Sequence, residues 1–200
     1  MYLNKLAETI LKYNHPKKIS KVNFAKTIYL VHKYLCQNKK SKNTAIKYIR
    51  MPLGPVPKGF MDLHNHNKNI KVSIRNTEND LLYNTENYSI ENREIEHFAK
   101  DTELEIKKLA KALQRFPTSK LVDYTHKEPS WKKRKNGEEY FIQKEDLKRK
   151  LPNVRGRKRQ KTKENSRIQA QLLEGLLEDI VTESTKLEYP DLNQDGKKSQ

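Results

Sequence analysis

Apolar residues recur every three or four positions in several stretches of this chain, which is the spacing of one buried helix face. The first stretch covers residues 3–11 and ends before Pro16. The second covers residues 21–37 and follows Ser20, a residue type that often caps helix N-termini. These patterns predict two consecutive helices. The second helix would bury Phe24, Ile28, Val31 and Leu35.

The same period returns further along the chain. From about residue 90 to residue 116 it predicts the longest helix, which Pro117 would end because proline lacks a backbone donor. A shorter helix is predicted over residues 119–127.

Two stretches have other patterns. Residues 51–57 contain three prolines, which excludes a helix and predicts a rigid turn, after which Pro57 could open a short helix that includes Leu63. Residues 70–74 alternate apolar and polar side chains, and residues 81–83 follow a polar turn. This alternation predicts a small β-hairpin.

These elements predict a mainly α fold. A compact helical domain with a small β-hairpin would cover residues 1–150. A basic linker (151–163), an amphipathic helix (164–187) and a disordered tail (188–200) would follow it.

Composition narrows the function classes. The chain has 200 residues, 34% of them hydrophobic, and a formal net charge of +17. This length suits one domain with an appendage, and the charge favours polyanions or an acidic protein surface as partners. The sequence has neither a long apolar run nor a signal-peptide pattern, so we expect a cytoplasmic protein without a membrane partner. Cys36 is the single cysteine, which excludes an internal disulfide.

Basic residues are concentrated in residues 132–163, which carry 14 Lys and Arg and four Asp and Glu. They could bind nucleic acid weakly and without sequence specificity through phosphates, or form only a solvated linker. Because base-stacking aromatics are missing from this block's most basic part, DNA binding is the second hypothesis. The candidate contacts are Arg155, Arg157, Lys158, Arg159 and Lys161.

The predicted C-terminal helix has an apolar stripe that it cannot bury alone. The stripe could dock on its own domain, on a second copy in a homo-oligomer, or in a groove of another protein. Its candidate partner-binding residues are Leu172, Leu173, Leu176, Leu177 and Ile180.

Catalytic and metal chemistry find little support. His64 and His66 alternate near Asp62, but no third ligand is evident, and polar loop histidines are the ordinary explanation. Cys36 lies in no nucleophile pattern, and no Gly-rich phosphate loop is present. We therefore expect a binding protein without cofactors, not an enzyme.

Two motifs, in order and separated by a predicted helix, are more specific. The first is Gly-Pro-Val-Pro, preceded on the second helix by a Lys-x-x-Tyr-Leu pattern. The second is Leu-x-x-x-Thr-His-x-Glu-x-x-Trp. The residues are Lys26, Tyr29 and Leu30; Gly54, Pro55, Val56 and Pro57; and Leu121, Thr125, His126, Glu128 and Trp131. Through them the chain resembles the Panacea domain, or SocA-like antitoxin domain, over about residues 1–150.

The resemblance implies a compact, mostly helical fold and an antitoxin that neutralises a cognate protein toxin by direct binding. Some relatives instead deliver the toxin to a protease. From the residues themselves, His126 would cap backbone carbonyls while the Trp131 indole covers the core. The Gly-Pro-Val-Pro turn would set the angle between two helices or present a ridge to the partner.

Overall fold

A computed structural model describes residues 2–75, 85–91 and 95–152 of the chain. Seven helices lie in these ranges: α1 (Tyr2–Asn14), α2 (Lys21–Gln37), α3 (Leu63–His66), α4 (Lys100–Leu113), α5 (Thr118–His126), α6 (Pro129–Lys132) and α7 (Lys144–Lys148). The bounds of α1 and α2 confirm the helices predicted there, and α5 matches the short helix predicted over residues 119–127. None of these helices has the length and apolar character needed to cross a membrane.

Six strands form two antiparallel sheets within the described residues. The strands are β1 (Ile19–Ser20), β2 (Tyr48–Met51), β3 (Gly54–Pro57), β4 (Ile70–Arg75), β5 (Thr85–Ile90) and β6 (Glu139–Tyr140). The first sheet has the order β1-β5-β4, and the second has the order β3-β2-β6. The prediction of a mainly α protein with one small hairpin is therefore wrong, because two three-stranded sheets contribute to the same core as the helices.

Helix α2 lies at the centre of the fold. All four residues of its predicted apolar stripe are buried, and so are nearly all the others from Phe24 to Cys36. Elements from the whole described chain contact it, including α1, α4, α5, α7 and β3. An element this enclosed positions any polar side chain that it carries.

The turn predicted over residues 51–57 is the hairpin of β2 and β3. The amide and carbonyl of Arg50 bond to residues beside β6, so the backbone groups of Ile49 and Met51 face β3. Their partners there are Val56 and Gly54. Pro55 and Pro57 alternate with these two residues and face the open edge, where a missing amide costs no ladder bond. Proline therefore fits this edge strand.

Other sequence predictions also change. Helix α4 begins at Lys100, ten residues later than predicted, because Ile90 ends β5 and residues 95–99 form neither helix nor strand. The strand paired with β4 is β5, not residues 81–83, which lie outside the described residues. Pro57 ends β3 and opens no helix, and α3 begins at Leu63. The predictions for the C-terminal helix, the tail and all but the first two residues of the linker also lie outside.

Candidate functional site

The ammonium group of Lys26 is buried beneath the β2–β3 hairpin. Its side chain extends from α2, with only 1% of the residue exposed. Nζ donates a hydrogen bond to the Pro55 carbonyl at 3.0 Å, and no carboxylate of the described residues lies within ion-pair distance. Burial lowers the pKa of Lys26 to about 7, because removal from water penalises the charged form. This lysine is therefore poised between its charged and neutral forms near neutral pH.

Gly54 allows the hairpin to lie this close to Lys26. Its φ is +99°, a backbone conformation that residues with a side chain rarely adopt. A Cβ atom there would lie 2.6 Å from Thr125 Oγ1 and 3.0 Å from Lys26 Cε. Both the backbone conformation and the space therefore require glycine at this position of the first motif.

His126 and Trp131 fasten the hairpin to α5 and α6. Their rings stack with centroids 4.1 Å apart and planes 13° from parallel. The guanidinium carbon of Arg50 lies 4.2 Å from the centroid of the indole. The indole N–H donates to the Met51 carbonyl at 3.1 Å. The contacts thus join the last turn of α5 and helix α6 to strand β2.

The environment of His126 favours its neutral form. Burial lowers the pKa of the imidazole, the hydrogen bond to the Pro52 carbonyl raises it, and the nearby charges of Lys26 and Arg50 lower it. The carbonyl that His126 engages belongs to the hairpin and not to its own helix. Trp131 is half-buried. A structural contact is therefore present, but its geometry differs from the predicted helix cap and core cover.

A second buried cluster joins α2 to the end of the described chain. Lys33 Nζ lies 2.8 and 2.9 Å from the two carboxylate oxygens of Glu128, and both side chains are fully buried. Arg149 Nη1 contacts Glu128 Oε1 at 3.2 Å and donates to the Tyr124 carbonyl at 2.9 Å. Burial raises the pKa of Glu128 and lowers that of Lys33, whereas their mutual attraction opposes both shifts.

The remaining motif residues complete the interior around these two clusters. Tyr29 is buried edge-on against Tyr48, with ring centroids 5.0 Å apart. Leu30 and Leu121 belong to the hydrophobic core. Val56 is half-buried and packs against that core. The two sequence motifs are far apart in the chain, and the structure brings them together around α2. Most motif residues are buried.

Sequence reasoning missed several members of these clusters. It did not single out Lys33, Arg50 or Arg149, because isolated basic residues in a chain of this charge give no distinctive signal. The position of Lys33 was a usable signal, since it lies seven residues after Lys26 and therefore on the same side of α2.

The chemical candidates outside the motifs are not members of these clusters. His64 and His66 lie on the short helix α3, and in the described residues no three potential ligands converge on a metal site. Cys36 is buried, and burial raises the pKa of its thiol to about 11, which disfavours the reactive thiolate. The candidate nucleic-acid contacts of the linker, from Arg155 to Lys161, and the leucine stripe lie outside the described residues.

Comparison with known proteins identifies one family. The family model described as "Antitoxin SocA-like, Panacea domain" matches residues 24–132, which include all members of both sequence motifs. No curated protein and no solved structure matches the chain.

Proposed function

Because the chain belongs to the family of SocA-like antitoxins with a Panacea domain, we propose that it neutralises a cognate protein toxin by direct binding. The family match over both motifs is the observation that carries this proposal. We further propose that the protein acts in the cytoplasm as a binding protein and not as an enzyme.

The placement of the motif residues supports a domain in which one set of residues maintains the fold and another set binds the partner. Lys26, Gly54 and Glu128 are buried and engaged with other parts of the same chain. Such residues maintain the domain, while a partner would contact exposed side chains. A shared interior with a separate recognition surface suits a protein whose task is to hold a partner.

Co-expression tests the proposal directly. The full chain and the product of the reading frame beside its gene are placed under separate inducible promoters, and growth is measured with either or both induced. Growth arrest by the neighbour alone, and recovery with this chain, is the expected result. A toxic neighbour that this chain fails to neutralise would contradict the proposal.

The amount of neighbour protein during rescue separates two modes of action. Direct sequestration leaves the neighbour at its original level and in a complex that survives size-exclusion chromatography at moderate salt. Delivery to a protease, the adaptor alternative, makes the neighbour disappear as growth recovers. A nucleic-acid-binding regulator would instead change transcript levels without a stable protein complex.

A further inference from the structure

One surface at the end of the β2–β3 hairpin combines exposed and half-buried side chains of apolar, aromatic and basic type. It consists of Arg50, Met51, Trp131 and residues 132–135, and we call it the α6 surface. Met51 is 39% exposed, although most large apolar residues of the domain are covered. Interfaces are enriched in Met, Arg and aromatic residues of this kind.

Hydrogen bonds hold the parts of the α6 surface together. The Gly137 amide donates to the Arg50 carbonyl, and the Arg50 amide donates to the Glu138 carbonyl, both at 2.9 Å. Arg134 turns inward, donating to the Ser130 carbonyl at 2.7 Å and lying over the Tyr140 ring. The loop after α6 is therefore fixed at its far end and in its middle, and it presents a preformed surface to a partner.

The outward-facing cations of this loop are not neutralised within the described residues. Lys132, Lys133 and Lys135 are exposed, and no described carboxylate forms an ion pair with them. The nearby Glu139 carboxylate is already shared by Lys47 and Lys58, at 3.1 and 2.6 Å. The three lysines thus create a local positive field that an acidic partner would complement.

We propose that the α6 surface binds an acidic patch of the toxin through the exposed Met51 side chain and the three lysines. The proposal rests on the proposed antitoxin function and names the surface that would perform it. A protein fits better than nucleic acid, because the Trp131 ring is already stacked by His126 and Arg50 and is not free to stack on a base.

A matched pair of charge reversals tests the proposal. The test variant changes Lys132, Lys133 and Lys135 to Glu. The control variant changes Lys100, Lys108 and Lys111 to Glu, which alters the net charge equally on exposed positions of α4. Affinity of each full-length variant for the product of the neighbouring reading frame is measured by titration at low and moderate salt, beside a short DNA duplex as a second probe.

We expect the test variant to bind the neighbour on the order of 10- to 100-fold more weakly, mostly through slower association, and the control variant to lose only a few-fold. Met51→Glu should also weaken binding, with less dependence on salt. A circular-dichroism melt verifies that each variant is folded, and replacing the same three lysines by Gln provides a milder version if the triple reversal is not.

Four other outcomes are decisive. Equal losses in the two variants would show that only net charge matters, and unchanged binding in both would place the interface elsewhere; either overturns the proposal. Loss of DNA binding alone, with toxin binding intact, would assign the α6 surface to nucleic acid and overturn it too. If the wild-type chain neither binds nor rescues, the proposed function fails first, which is distinguishable because no variant is needed to see it.

Discussion

Lys26 and Lys33 lie two turns apart on the same helix and are equally buried, yet their surroundings differ. Lys33 contacts both oxygens of a buried carboxylate, and Arg149 reinforces the pair. Lys26 donates a hydrogen bond to one backbone carbonyl, and no carboxylate among the described residues forms an ion pair with it. The same side chain thus serves as half of an ion pair in one place and as a hydrogen-bond donor without a counter-charge in the other.

The difference teaches how this domain uses charge in its interior. A paired buried charge is costly to break because each partner depends on the other. An unpaired amine can lose its proton instead, and burial moves the pKa of Lys26 far enough for this to happen near neutral pH. The stability of the two regions should therefore respond differently to mutation and to pH.

Breaking the Lys33–Glu128 pair should have the largest effect. Glu128→Gln leaves Lys33 buried without its counter-charge and should cost roughly 3–5 kcal/mol of unfolding free energy. Chemical denaturation at neutral pH measures this loss. Glu139→Gln is the matched control, since it removes surface ion pairs with Lys47 and Lys58. If the two substitutions cost the same, the buried pair has no special role.

A substitution at Gly54, which lies against the Lys26 side chain, should cause the next largest loss of unfolding free energy. Gly54→Ala must adopt a positive φ and would press its Cβ against Thr125 and Lys26, so we expect a loss of about 2–4 kcal/mol. Thermal melting provides the measurement. Gly59→Ala also has a positive φ but meets nothing within 4 Å, so it isolates the backbone contribution. Equal losses at both glycines would remove the steric argument.

The pH dependence of Lys26 should be smaller but more specific. Its pKa is about 7 in the folded chain and about 10.5 when unfolded. Between these values the unfolded state binds more protons, so stability rises with pH. We expect Lys26 to contribute a gain of about 2 kcal/mol between roughly pH 7 and 9. Below pH 7 both states are protonated, and this contribution to the slope disappears.

Lys26→Met provides the comparison, because it keeps the volume and removes the titrating group. Its denaturation midpoint should change less between pH 7 and 9 than that of the wild type. At pH 7 the variant should be about as stable as the wild type, or more stable. Lys108→Met on the exposed face of α4 controls for surface charge. Parallel pH profiles for wild type and Lys26→Met would show that Lys26 keeps an ordinary pKa.

The smallest loss of unfolding free energy is expected on substitution of Trp131, which joins the β2–β3 hairpin to α6. Trp131→Leu removes the stacking on His126, the contact with Arg50 and the indole hydrogen bond. Because Trp131 is half-buried, we expect a loss of only about 1–2 kcal/mol. The substitution removes the single tryptophan of the chain, so unfolding of the variant is followed by circular dichroism and not by tryptophan fluorescence. A loss as large as that of Glu128→Gln would place the indole in the core.

Much of the helical part of this fold was predictable, because α1, α2 and α5 follow the apolar period of their sequences. The period extended the prediction for α4 too far, since Ile95 and Phe98 pack against the core from a segment that is not helical. Strand β3 was not predicted, because a proline-rich stretch is compatible with either a turn or an edge strand. Only the pairing with β2 decides between them.

The membership of the candidate site was predictable in part, and its chemistry was not. The motifs identified Lys26, Gly54 and His126 as a group, yet nothing in the sequence states that a lysine lies in the interior. A usable signal was that α2 is apolar on more than one face, with Ala25 and Leu30 beside its main stripe. Such a helix is enclosed on several sides and buries its lysines as well.

The attachment of α7 to α2 has a consequence for how the chain matures. Gln37, at the end of α2, donates hydrogen bonds to the carbonyls of Leu147 and Arg149, more than a hundred residues later. A growing chain meets these partners only after nearly the whole domain has left the ribosome, and contacts this distant in sequence form slowly. The contact between α2 and α7 should therefore form late in synthesis, after the other described elements have already been made.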